Sequence, residues 1–149
     1  MWRSAVEDAI EGYEDVEAIS EVVGKATAAV FKAGVGDFRD FDSPEALLKM
    51  FGLNLKEKSS GKHKGQLKIS KRGPSEARSY LYWATLRMIH SSPIFKAWHQ
   101  KKIERDGGLR QKSVVALMRK LVKGLWHVAR GKTFDATKLF DVSRLALTN

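Results

Sequence analysis

Val114, Leu117, Met118, Leu121, Leu125 and Val128 stand three or four residues apart, a spacing that lines one face of an α-helix and that no strand reproduces. A stripe of that length has to be covered, and the other apolar patterns in the chain have the same period. Ala77, Tyr80, Leu81, Ala84 and Met88 form one such face, and Val6, Ile10, Tyr13, Val16 and Ile19 alternate with acids in another, which Gly12 weakens by about 1 kcal/mol relative to Ala. Start and stop signals punctuate the rest. Asp42-Ser43-Pro44-Glu45 provides a capping hydroxyl, a proline for the first turn and an acid beside the helix N-terminus, so a helix runs to Phe51 and closes on Gly52. Ser92-Pro93 opens another, through Ile94, Phe95, Trp98 and Ile103, that ends at Gly107-Gly108, and the long final helix ends at Gly131. Near the beginning, a break at Ser20-Glu21-Val22-Val23-Gly24 separates the first helix from a compact one over residues 25–33, so the chain opens as helix, hairpin, helix. The fold class is mainly α.

Helical periodicity disappears between Asn54 and Gly73. Residues 56–73 carry seven Lys/Arg and one acid, and Gln66 to Ser70 alternates polar and apolar as a short strand does. The expected architecture is a helical domain with one basic, irregular insertion, short β structure included. Charge divides at the same place: residues 1–57 hold 6 Lys/Arg against 12 Asp/Glu, whereas residues 58–149 hold 21 against 5. A segment so basic repels itself unless a polyanion is near, and nucleic acid is the commonest one. The 149 residues suit one main domain, and with no Cys the chain has no disulfide scaffold, thiolate zinc site or cysteine nucleophile. It contains no apolar run approaching the roughly 18 residues of a membrane span, and Met1-Trp2-Arg3-Ser4-Ala5-Val6-Glu7-Asp8 lacks the order of a signal peptide. A cytoplasmic protein without a membrane partner is expected.

One serine sits among many phosphate-binding groups. Ser60 has Lys58, Lys62 and Lys64 close in sequence, and Gly61 allows close backbone approach to a ligand, although Ser-Ser-Gly is equally the composition of a plain turn. The candidate nucleic-acid contacts are Lys58, Lys62, Lys64, Lys68, Lys71, Arg72 and Arg78, with Arg119 and Lys120 off the apolar stripe of the last helix. No metal site is expected: the acids after residue 57 are scattered, His63, His90, His99 and His127 show no ligand spacing, and Asp37, Asp40 and Asp42 read as capping and turn chemistry. Trp83, Trp98 and Trp126 fall within helices, where packing or groove lining is the commoner role than base stacking. At the 20–25 hairpin, Glu21 opposes phosphate and favours packing.

The order of these motifs resembles a known family. Ser59-Ser60-Gly61, a basic spacer, Ile69-Ser70-Lys71-Arg72-Gly73 and Arg78 opening a long helix are similar to the C-terminal domain of the insertion-sequence 110-type transposases, the 110/116/902 group. Thr27-Ala28-Ala29, Gly36-Asp37-Phe38 and Phe41-Asp42-Ser43 match upstream, and Ser92-Pro93, Arg119-Lys120-Leu121 and Gly131-Lys132-Thr133-Phe134-Asp135 match downstream. The resemblance covers roughly residues 13–137; residues 1–12 then read as the end of a helical connector and 138–149 as a loosely held tail. It departs at Ser20–Gly24, where the family usually has Pro-Gly-x-Gly, at Pro74, where Asn commonly stands, and at Ala77, which replaces a Leu.

The resemblance implies a DNA recombinase that mobilises an insertion sequence, in the best understood cases with a structured guide RNA, inside a bacterial or archaeal cell and associated with its nucleoid. It implies a composite active site in which Ser60 attacks the DNA backbone while a ribonuclease-H-like domain, in cis or in trans, supplies acidic ligands for a divalent metal. This chain would then hold no cofactor of its own, would be inactive alone, and would join a homo-oligomer when complete. The other expectation is a non-catalytic nucleic-acid-binding remnant of such a transposase.

Overall fold

The last apolar stripe becomes the axis of the molecule. In the computed structural model, which describes residues 14–58, 66–69 and 74–145, the described chain is mainly helical: α1 (Glu14–Val23), α2 (Lys25–Gly34), α3 (Pro44–Phe51), α4 (Ser75–Ser91), α5 (Pro93–Arg105) and α6 (Arg110–Val128). Helix α6 packs against α1, α3, α4 and α5, and Leu117, Leu121, Val122 and Leu125 are removed from solvent entirely. Burying a side chain of this size is worth about 1.5–3 kcal/mol, so this one stripe is a large share of the driving force for folding. Phe31 of α2, Phe38 of a 3-10 turn (Phe38–Asp40) and Phe51 of α3 meet with ring centroids 5.2 to 5.9 Å apart and close the N-terminal half of the core.

The start signals act as their chemistry suggests. Ser43 Oγ accepts the Ala46 amide at 3.1 Å with Pro44 in the first turn of α3, and Gly52 ends that helix in the left-handed conformation, φ 75°. Ser92 Oγ likewise accepts the Phe95 amide at the start of α5. The break expected over residues 20–24 is smaller than the sequence implied. Helix α1 continues to Val23, whose side chain is buried, and Gly24 alone makes the corner to α2 at φ 93°, ψ 156°, a conformation that side-chain-bearing residues rarely adopt.

Between α3 and α4, β1 (Leu55–Lys58) and β2 (Gln66–Ile69) pair antiparallel, with Leu55 opposite Ile69 and Lys58 opposite Gln66. Residues 59–65 connect the two strands.

The C-terminal segment corrects an expectation. Residues 138–145 are not a loose tail: Phe140 is only 8% exposed and packs edge-on against Phe95, centroids 5.2 Å apart, and beside Trp98 at 5.8 Å. Asp135 and Asp141 each cap a short 3-10 turn, accepting the amides of Thr137 at 3.0 Å and Ser143 at 3.2 Å. Gly124 allows this close approach, because a Cβ there would meet the Phe134 ring at 2.8 Å and Leu139 Cδ1 at 3.3 Å. Residues 146–149 lie outside the described residues.

Candidate functional site

Ser60, Lys62, Lys64, Lys71 and Arg72 lie outside the described residues; Lys58 and Lys68 are in the strands that flank them, Lys58 opposite Gln66 and Lys68 opposite Lys56. The described residues define how this insertion is moored. It leaves the helical body at Leu53, which is fully buried and donates its amide to Leu48 O at 2.9 Å, and returns at Pro74, whose carbonyl accepts the Arg78 amide at 3.2 Å. Two of the expected nucleic-acid cations reinforce the departure point. Arg119 Nε donates to Leu53 O at 3.0 Å from α6, and Arg78 Nη1 donates to Phe51 O at 3.2 Å from α4. Both guanidinium groups therefore bind backbone carbonyls at and just beyond the end of α3, and charge-assisted bonds of this kind contribute about 1.5–3 kcal/mol each.

Lys120, the third such cation, faces inward as well. Its ammonium donates to Leu139 O at 3.0 Å and lies 4.9 Å above the Phe140 ring and 5.6 Å from that of Trp98. Burial, with Lys123 and Arg119 near, holds its pKa below the ordinary lysine value. It fastens the C-terminal segment to α6. Arg130, which no sequence motif marks as a contact, does the same for residues 38–41: it stacks 3.7 Å over the Trp126 ring and donates to the carbonyls of Phe38, Arg39 and Phe41, the last of which also accepts Trp126 Nε1 at 2.8 Å. No spacing rule signals this interaction, since the partners are about ninety residues apart in sequence.

Two of the acidic residues, Asp37 and Asp15, meet at Arg39. Asp37 caps its 3-10 turn and is gripped by Arg39, whose Nη2 reaches Oδ2 at 2.7 Å; these hydrogen bonds hold the Asp37 carboxyl well below the usual carboxylate range. Asp15 is buried beside it, its Oδ1 3.4 Å from Arg39 Nη2, and loss of solvent pushes the Asp15 pKa up. A carboxyl buried beside Arg39 and another gripped by the same guanidinium already have a cation between them. Among the described residues no three His, Cys, Asp or Glu side chains are grouped to hold a metal. His99 Nδ1 and Ser113 Oγ are 2.7 Å apart, but Ser113 is fully buried, so the pair joins α5 to α6 and offers no nucleophile to a substrate.

Concave surfaces also occur among the described residues. One, of about 650 Å³, lies between the Gly24 corner and α4 and is largely apolar, with Trp83, Met88 and Val22 on its walls. Arg87 donates to Val23 O at 3.1 Å and Thr27 Oγ1 at 3.3 Å, which ties the corner to α4. Trp83, off the apolar face of α4, is 57% exposed. The second surface, near Trp98, is smaller and basic.

The sequence model of the Transposase IS116/IS110/IS902 family matches residues 20–100, more than half of the chain. The chain belongs to that family. No curated protein matches it. The matched segment of this transposase-family chain runs from α1 into α5 and contains residues 53–74, Ser60 among them. The C-terminal part of α5, all of α6 and the docked segment after it lie beyond the match. No helix of the described residues is long and apolar enough to cross a membrane.

Proposed function

We propose that this chain is a DNA-contacting transposase domain whose Ser60 hydroxyl is the nucleophile in strand cleavage. The reading rests on one observation above the others: the family match spans the insertion that carries Ser60. The mooring of that insertion by Arg78 and Arg119 adds support, because a nucleophile has to be presented from a braced base to meet a phosphate in line. Lys58, Lys62, Lys64, Lys68, Lys71 and Arg72 supply phosphate contacts and positive potential where charge develops on the phosphoryl oxygens. In the step itself the Ser60 oxygen bonds to phosphorus, the bond to the leaving deoxyribose oxygen breaks, and the hydroxyl proton passes to a base outside the insertion. A ribonuclease-H-like domain, in cis or in trans, provides the acidic metal-binding half, and a structured guide RNA and a homo-oligomer complete the assembly.

The test is a complex of this chain with such an acidic domain, its nucleic acids and a DNA substrate, assayed for a covalent protein-DNA adduct. Ser60→Ala should abolish the adduct while leaving DNA affinity nearly unchanged, because one hydroxyl contributes little beside six cations. Ser59→Ala is the internal control and should retain it. An adduct lost with Ser59→Ala but kept with Ser60→Ala moves the nucleophile by one residue. A complex that binds its DNA and forms no adduct with both serines intact makes the chain a binding module instead.

A further inference from the structure

Trp98, Lys101, Lys102 and Arg105 follow one another on α5 at i, i+3, i+4 and i+7, so they share one helical face. The docked C-terminal segment brings Asp141 and Arg144 to the same place, and a cavity of about 200 Å³ lies between the two walls. Four of the side chains lining it are cationic and one is acidic.

The cations divide into two pairs by what they already hold. Lys101 donates its ammonium to the Arg144 carbonyl, and Lys102 bonds Asp106 at 2.7 Å one turn along the helix. Lys101 thus fastens the turn to α5, while Lys102 is held along the helix by Asp106. The arginines stand at the rim, with side chains 68% exposed for Arg105 and 79% for Arg144. Their partners are weak ones: Arg105 Nε is 3.7 Å from Asp106, and Arg144 Nε is 3.2 Å from Asp141. Exposed pairs of this kind contribute about 0–1 kcal/mol, so either guanidinium can exchange its carboxylate for a better anion at little cost. Asp141 is occupied with the backbone, accepting the Ser143 amide at 3.2 Å and its hydroxyl at 2.6 Å, which holds its carboxyl ionised and keeps Arg144 where it is.

The geometry points to a second nucleic-acid contact, in which Arg105 and Arg144 grip the sugar-phosphate backbone at a site on α5 and the 141–145 turn, distinct from the cations of residues 58–72. A guanidinium presents a fork of donors that suits the paired oxygens of a phosphodiester, which a lysine ammonium does not. The inference rests on the reading of this chain as a nucleic-acid-binding domain. It also gives the C-terminal segment, which lies beyond the family match, a function as the second wall of the site.

The experiment uses the full chain, a fluorescently labelled mixed-sequence DNA duplex, an RNA duplex of the same sequence, and anisotropy over a salt titration. Arg105→Gln with Arg144→Gln should lower the salt slope on DNA by nearly two units, about 0.9 for each phosphate neutralised, and weaken binding at least tenfold at low salt. The melting temperature should not move, since both side chains are exposed. A control that removes two other exposed cations, Lys49→Gln with Lys132→Gln, should change both readings far less. In the unmodified chain, the Arg105 and Arg144 guanidinium resonances should shift as duplex is added. Unchanged slope and affinity in the arginine variant, an equal loss in the control, or silent guanidinium resonances would overturn the second contact alone. If the unmodified chain binds neither duplex at low salt, the functional reading itself fails and this site with it. A larger loss on one duplex identifies which nucleic acid the site serves.

Discussion

Asp37 and Asp15 both approach the Arg39 guanidinium yet respond to pH in opposite senses. The Asp37 carboxyl is depressed by Arg39, so the stability it adds is present above the unfolded carboxylate value of 3.8 and is lost as pH falls below it. The Asp15 carboxyl is raised by burial, so the unfolded chain ionises it first, and it opposes folding as pH climbs through the window above 3.8. Asp37→Asn should therefore cost on the order of 1.5 kcal/mol at neutral pH, from the charge-assisted bonds to Arg39, and the difference from the unmodified protein should shrink toward zero in acid. Asp15→Asn should be neutral or stabilising at pH 7. Urea unfolding of the three proteins across the acid range measures both, and a difference that stays constant with pH would refute the linkage. The same reasoning separates the cations: Arg78, Arg119 and Lys120 have their charge committed to carbonyls of the domain, which the sequence could not reveal because charge type says nothing about the direction a side chain takes.

Elements form here where local signals and burial agree. Helices α3 and α5 begin at their Ser-Pro starts, and α6 follows its stripe, because capping and 3.6-residue periodicity are local physics. The segment after α6 has no such period. Phe134, Leu139 and Phe140 look unpatterned in sequence, and their partners Phe95, Trp98 and Leu117 come from two other helices. Phe140→Ala should cost about 3–5 kcal/mol, the range for a buried phenylalanine, which is a large fraction of the stability of a domain this size. A loosely held tail would give almost no change in melting temperature, so thermal unfolding of this one variant decides between the two descriptions.

On the scale of the whole molecule the charge asymmetry has its own consequence. Replacing Lys62, Lys64, Lys68 and Lys71 with Glu should flatten the salt dependence of duplex binding by as much as about 0.9 unit for each phosphate left without its cation, and a variant that binds as tightly as its parent throughout the titration would exclude the insertion as a contact surface. That asymmetry, the helical class, the two Ser-Pro starts and the family motifs around Ser60 were all readable in the sequence, since each depends on residues close together in the chain. Other features required the tertiary structure. The one-residue corner at Gly24 depends on where Val23 finds cover, the bracing of Leu53 on Arg119 spans 66 residues, and the basic surface on α5 is complete only when the segment after α6 brings Arg144 to it. The physical reason is common to all three. Propensity and periodicity state which face of an element is to be buried, whereas the identity of the buried partner is set by packing among elements distant in the chain, and polar side chains then take the donors and acceptors that this packing leaves within reach.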